Sequence, residues 1–272
     1  MRTMARIGAA EILKQHRRMS GSNLVFFSML LWPLLQLLTT YYTVRPVVGG
    51  AAGSKWSAAA DPQQLLAFLA TGALGFSFFF ALVQSAWHFS FERQTGTLEL
   101  LFLSPVPRLV MVVANGFGAL LQNAWLFLCF SLTLFLVTDV VKPAHPGMFL
   151  VAFLALLLPA VAWGAFLNSL LIFSRDSAFL FTIFDDPMAF ASGARIPVTA
   201  LPGWIAAIGT ALPLTGSLKV VRGALLEGKG FTDLAGTLGG LAAVTVALLL
   251  LASLMLRLGE RRAQRTGQLR LF

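Results

Sequence analysis

Charge is what this chain has least of: 11% of its 272 residues are Asp, Glu, Lys or Arg, against 57% that are hydrophobic. No stretch between its apolar runs is long enough to fold as a separate globular domain, so any energy source must reside on another chain. Cysteine is nearly absent. Cys129 stands alone, which excludes an intrachain disulfide, and three scattered histidines supply no metal-ligand spacing, so neither metal nor redox chemistry is expected. The basic N-terminus lacks a small-residue cleavage site after a short apolar core, because the first apolar run continues from Leu24 to about Val44. No cleaved signal peptide is expected, and no internal repeat emerges along the chain.

What is present is a series of apolar runs that approach or exceed the roughly 20 residues a helix needs to cross the hydrocarbon core. The expected fold is an all-α polytopic membrane protein, one transmembrane domain over 1–272 with six spans. Spans one to four are placed at about Leu24–Val44, Gln64–Phe91, Val110–Thr138 and Phe149–Phe173, and span six at about Leu234–Leu256. The fifth run, about Ala178–Ser192, is short and broken by Asp185-Asp186-Pro187. Residues 1–22 mix apolar and basic side chains and suit an amphipathic helix on the inner membrane surface. Between spans five and six (193–230), Pro197, Pro202, Gly203, Pro213 and Gly216 divide the chain into two apolar pieces too short to span, expected as re-entrant or outer helices.

A net charge of +9 would suggest nucleic acid in a soluble protein; here the basic residues follow the positive-inside rule, and no nucleic-acid partner is expected. With both termini cytoplasmic, thirteen of the 20 Lys and Arg residues fall inside, five of them in a basic tail over 257–272, and seven fall outside. Localisation to the cell (inner) membrane, in contact with membrane lipid, follows.

Two motifs carry most of the chemistry. Gly223-Ala-Leu-Leu-Glu-Gly228-Lys229 fits seven positions of a phosphate-binding P-loop, but Gly230 replaces the Ser or Thr that holds magnesium and no strand precedes it, so the chain is expected to have no nucleotide site. The second motif is a polar island, Phe91 to Arg108, FERQTGTLELLFLSPVPR, between spans two and three. A merely solvated loop has no use for Leu-Glu-Leu-Leu-Phe-Leu. From Thr97 the pattern predicts a short amphipathic helix stopped by Pro105 and Pro107, a compact plug for a groove on another protein.

That island resembles the E-R-x-x-G-T-L-E-x-L-x-x-S-P segment of permease subunits of type-two ABC exporters. Ser192-Gly-Ala-Arg-Ile-Pro197, Leu201-Pro-Gly-Trp204 and Leu212-Pro-Leu-Thr215, with Arg222 and Leu225-Leu226, resemble the same family's outer segment before its last span. The resemblance implies a six-span exporter permease with a coupling helix in 92–108. It implies that Glu92, Arg93, Gly96, Thr97, Glu99, Ser104 and Pro105 contact or support an ATPase, with Leu98, Leu100 and Leu101 as the apolar plug. Pro197, Pro202, Trp204 and Pro213 would form an outer gate. The implied partners are two copies of an ABC ATP-binding subunit, which would carry the ATP and magnesium, and a second permease copy or a sister permease. This chain itself would bind no cofactor and catalyse no bond chemistry. The expected cargo is an amphiphilic or hydrophobic molecule of the drug, antibiotic, lipid or glycolipid class.

Asp185 and Asp186 depart from the apolar stretch that many relatives carry. Intramembrane carboxylates are costly and are functional candidates by default, for a cationic substrate or a proton relay. Two structural readings stand beside this one: an N-cap and first turn at Pro187, or a salt bridge to Arg195, Lys219 or Arg222. Gln36, Thr39, Thr40, Tyr41 and Tyr42 in span one and Gln84 in span two are candidates to line a translocation path, or to join helices by hydrogen bonds. The acidic pair also defines two alternatives, an ion-gradient-driven secondary transporter and, with less support, an intramembrane enzyme. Neither explains the island.

Overall fold

The computed structural model describes the backbone of residues 23–49, 61–94, 120–170 and 187–266, with positions 10, 13, 109, 110, 112 and 113. Side chains are described at those six positions and over 31–46, 61–81, 123–170, 187–259 and 261. All regular structure among the described residues is helical. The elements are α1 (Asn23–Gly49), α2 (Pro62–Gln94), α3 (Leu120–Val137), α4 (Gly147–Leu170), a 3-10 turn (Val198–Ala200), α5 (Gly203–Ala211), α6 (Pro213–Leu225) and α7 (Phe231–Thr266).

Three stretches are long and apolar enough to cross a membrane: Pro62–Ala81, Gly147–Leu170 and Phe231–Gly259. These are the second, fourth and sixth of the expected spans. α5 and α6 meet at an 84° bend and amount to a fourth crossing if taken as one broken span. α3 has a shorter apolar part, Asn123–Val137, and positions 109, 110, 112 and 113, where the third span was expected to begin, are helical. Most of the fifth run, including Asp185 and Asp186, lies outside the described residues, as does nearly all of 1–22. The last helix continues past its expected end at Leu256 to Thr266, because 257–266 holds good helix formers and no proline.

α4 forms the middle of the bundle, packed mainly against α7, α6 and α2. Its sequence is apolar all round, and 15 of its residues from Met148 to Ser169 are buried, while Leu150, Leu154 and Leu158 leave one stripe exposed. Next to it α2 buries Leu65, Leu69, Leu74, Phe78 and Phe79 almost completely. Phe78, Phe127 of α3 and Phe153 of α4 meet edge to face with centroids 5.5 to 6.4 Å apart. That geometry is worth about 0.5–1.5 kcal/mol per pair beyond simple burial.

α7 is different. Its buried residues form one narrow stripe, Leu234, Leu241, Leu248, Ala252 and Leu256, while Val246, Leu250, Leu251 and Leu254 are exposed. A helix that is apolar outside its packed stripe belongs in lipid rather than water.

Candidate functional site

One cation organises the end of the bundle where α2 begins. Pro213 is the first residue of α6 and is buried, which fixes where that helix starts, and nine residues later Arg222 projects toward α2. Its guanidinium donates three hydrogen bonds: Nε to Thr71 Oγ1 (3.1 Å), Nη1 to the Gly193 carbonyl (3.0 Å) and Nη2 to the Phe68 carbonyl (3.0 Å). The group also lies 3.5 Å from the centroid of the Phe68 ring. Thr71 is fully buried, and its hydroxyl hydrogen bonds back to the carbonyls of Ala67 and Phe68, which leaves an oxygen lone pair for the arginine.

The segment Ala191–Ala194, a helix end followed by a turn and bend and buried throughout, threads between two glycines. A Cβ on Gly72 of α2 would come within 1.9 Å of the Ala194 carbonyl oxygen, and one on Gly209 of α5 within 2.1 Å of that of Ala191. No larger residue fits at either place without moving backbone. Gly193 has φ of +84°, a turn conformation that L side chains rarely adopt. Arg222 thus fastens α6, the 191–194 segment and α2 into one clamp.

A second cation stands beside the clamp. Arg195 Nη2 donates to Gln36 Oε1 of α1 at 3.1 Å, at a crevice of about 20 Å³ lined by Gln36, Thr40, Gly72, Phe76 and Ala194 among others. Of the candidate path residues, the structure therefore brings Gln36 and Thr40 together with Arg195. It does not bring Thr39, Tyr41 or Tyr42 there: the Thr39 hydroxyl is exposed and bonds back to the Leu35 carbonyl, and Tyr42 is 68% exposed. Tyr41 packs edge-on against Tyr42 and lies 5.6 Å from the Arg45 guanidinium. Gln84 is on α2, and its side chain lies outside the described residues.

The expected outer-gate residues separate as well. Pro213 is buried at the head of α6, Pro197 precedes the 3-10 turn, Pro202 is the exposed N-cap of α5, and Trp204 is 70% exposed. Arg222 and Arg195 donate their described hydrogen bonds to neutral acceptors; Asp185 and Asp186, the other half of the salt bridge considered, lie outside the described residues. The described ion pair is Lys229–Glu227 at 2.6 Å, both side chains about half exposed. Glu227 holds the exposed Lys229 ammonium above its ordinary pKa, chiefly through that hydrogen bond.

The P-loop-like stretch is the C-terminal cap of α6. The amides of Leu226 and Glu227 donate to the Arg222 carbonyl, that of Lys229 donates to the Gly223 carbonyl, and Gly228 takes φ of +64°. Amides that would cradle a phosphate are engaged in closing a helix.

Of the coupling segment, Glu92 and Arg93 lie in the last turn of α2. Gly96, Thr97, Leu98, Glu99, Leu100, Leu101, Ser104 and Pro105 lie outside the described residues. The family profile described as ABC-2 type transporter matches residues 10–226, from before α1 to the end of α6. The chain belongs to the ABC-2 type transporter family. It is therefore an integral, multi-pass membrane protein and a permease subunit of an ABC transporter, the kind of subunit that works with an ATP-binding partner. A comparison with curated proteins gives no match.

Sequence reasoning passed over Phe68, Thr71, Gly72 and Gly209, and quoted Gly193 only as part of a motif. The available signal was a glycine pair, Gly72 and Gly75, inside an otherwise bulky run. Arg222 was noticed through the family resemblance and as a possible salt-bridge partner of the acidic pair, not as a clamp.

Proposed function

We propose that this chain is the membrane half of an ATP-driven exporter in which two permeases join two ATP-binding subunits. ATP and magnesium are held by those partners. The cargo is an amphiphilic or hydrophobic molecule moved outward from the cytoplasm or inner leaflet of the cell membrane, with both termini of the chain cytoplasmic and α5 and α6 on the outer side.

The observation that supports this reading best is the continuity of α2. It is an unbroken helix of 33 residues whose final turn carries Glu92 and Arg93 of the coupling segment. Near its other end are Phe68 and Thr71, the acceptors of the Arg222 clamp. At 1.5 Å per residue, Thr71 and Glu92 are joined by about 32 Å of continuous helix. A push from an ATPase at residues 92–105 has a stiff route to the outer helices, and the differential contacts that couple ATP to transport would reside at those two ends.

The test is to co-purify the chain with its ATPase, reconstitute both in liposomes, and compare wild type with Glu99→Arg. Loss of the complex, or of flux together with altered ATP turnover, is the expected result. Transport by the chain alone under an ion gradient without ATP would overturn the proposal and promote the secondary transporter.

A further inference from the structure

Arg195 presents a problem that the clamp does not solve. Its neighbour Arg222 has three neutral acceptors and an aromatic face for its charge. Arg195 is exposed and has a single described partner, the neutral amide oxygen of Gln36. Gln36 is the midpoint of the 27-residue α1, about 20 Å along the axis from either end. Gly72 and Ala73, which share the crevice with Arg195, are about 15 Å below the outer end of α2. On the exporter reading, in which α1 and α2 both cross the bilayer, the guanidinium lies at membrane depth, where an ionised side chain on the protein surface is costly and needs a counter-charge or a route to the interface.

The surroundings narrow what that counter-charge is. Leu37, Leu69 and Phe76 wall the crevice, and the void itself is only water-sized. A ligand must sit on the exposed edge of the guanidinium, with its apolar portion along the bundle surface, where Leu31, Leu35 and Leu38 of α1 are about half exposed. The hydrogen bond to Gln36 fixes Nη2, and the 191–194 backbone is held between Gly72 and Gly209. The remaining N–H groups of Arg195 are thus presented by a rigid support, the condition under which an arginine fork recognises an oxyanion.

We infer that Arg195, oriented by Gln36, binds the oxyanion headgroup of an amphiphile at membrane depth. The inference rests on the exporter reading for its placement in the membrane and deepens it by giving the ligand a negative charge.

The experiment uses the purified permease–ATPase complex in phosphatidylcholine nanodiscs without ATP. Dansyl-labelled phosphatidic acid or uncharged dansyl-labelled diacylglycerol is added at low mole fraction. Energy transfer is read from tryptophan, of which Trp32 of α1 is exposed one turn from Gln36. Wild type is expected to enrich phosphatidic acid over diacylglycerol. Arg195→Gln should weaken phosphatidic acid binding about tenfold, the equivalent of one charge-assisted hydrogen bond, and leave diacylglycerol unchanged. Arg195→Lys and Gln36→Leu should fall between.

Millimolar inorganic phosphate should fail to displace the lipid. If it displaces the lipid, the site takes a soluble anion and the amphiphile assignment is wrong. Equal enrichment of both lipids, or no effect of Arg195→Gln, overturns the inference, as does an Arg195→Gln variant that binds lipid normally but separates the permease pair on native mass spectrometry. Because binding is read without ATP, Arg195-dependent enrichment alongside normal ATP-driven flux in Glu99→Arg would sink the coupling proposal and leave this site standing.

Discussion

Replacing Arg222 by lysine keeps the charge and removes the geometry. The arginine makes three hydrogen bonds from one planar group at 3.0 to 3.1 Å and stacks 3.5 Å from the Phe68 centroid. A hydrogen bond to a charged group contributes about 1.5–3 kcal/mol, and a desolvated cation–π contact about 2. An ammonium is a point donor on a flexible stem and reaches one of the three acceptors, so at least two bonds and the stacking are lost. Part of that loss overlaps, which leaves a net cost of about 3–5 kcal/mol, the Gly193 carbonyl being left without its donor. By the scaling for chains of 150–250 residues, roughly 2–4 °C per kcal/mol, the unfolding midpoint of the purified complex should fall by roughly 6–20 °C. Tryptophan fluorescence on heating measures it. Arg222→Met should cost less than the lost contacts imply, because removing a buried charge also removes its desolvation penalty. A midpoint for Arg222→Lys within about 2 °C of wild type, or a double-mutant cycle with Thr71→Val showing no coupling, would refute the clamp.

Other outcomes follow from the same packing. Gly72→Ala and Gly209→Ala, each placing a methyl on a backbone carbonyl, should destabilise by about 1–3 kcal/mol or more. Gly236→Ala and Gly239→Ala in α7, where nothing lies within 4 Å of the added methyl, should stabilise by about 0.5–1 kcal/mol each; chemical denaturation separates the two sets, and equal effects would contradict the threading of 191–194. Asn123 is fully buried, with neither amide atom hydrogen-bonded. Asn123→Leu should therefore raise stability by about 1–3 kcal/mol, and a drop in the melting midpoint would show that the amide has a partner in the working complex. Glu227→Gln should leave stability near neutral pH within error, since the Lys229–Glu227 pair is half exposed. The sign is set by the raised lysine pKa: whatever the pair contributes is fully present below the unfolded lysine value near 10.4 and is lost only above it, so a denaturation series at neutral and strongly alkaline pH checks it.

Much of the architecture was legible because it depends on short-range rules. Unbroken apolar length announces α2, α4 and α7, and the prolines at 202 and 213 mark the N-cap of α5 and the first residue of α6. The amphipathic island, with its leucines interleaved with Glu99 before Pro105, lies outside the described residues. The third span is described at positions 109, 110, 112 and 113, which are helical where it was expected to begin, and from Leu120 on, with 114–119 outside the described residues.

Arg222 shows where that legibility stops. From sequence it is one of seven outer cations, on the assigned topology, with nothing to say that Phe68 and Thr71, more than 150 positions earlier, receive its hydrogen bonds. The same holds for Arg195 with Gln36, 159 positions apart, and for the two glycines that admit the 191–194 backbone. Hydropathy and helix breakers act within a few residues, so the chain's own order determined that this is a helical membrane protein and where most of its helices lie. Which cation is locked and which is left exposed depended on the approach of helices distant in sequence, and only the tertiary packing decided it.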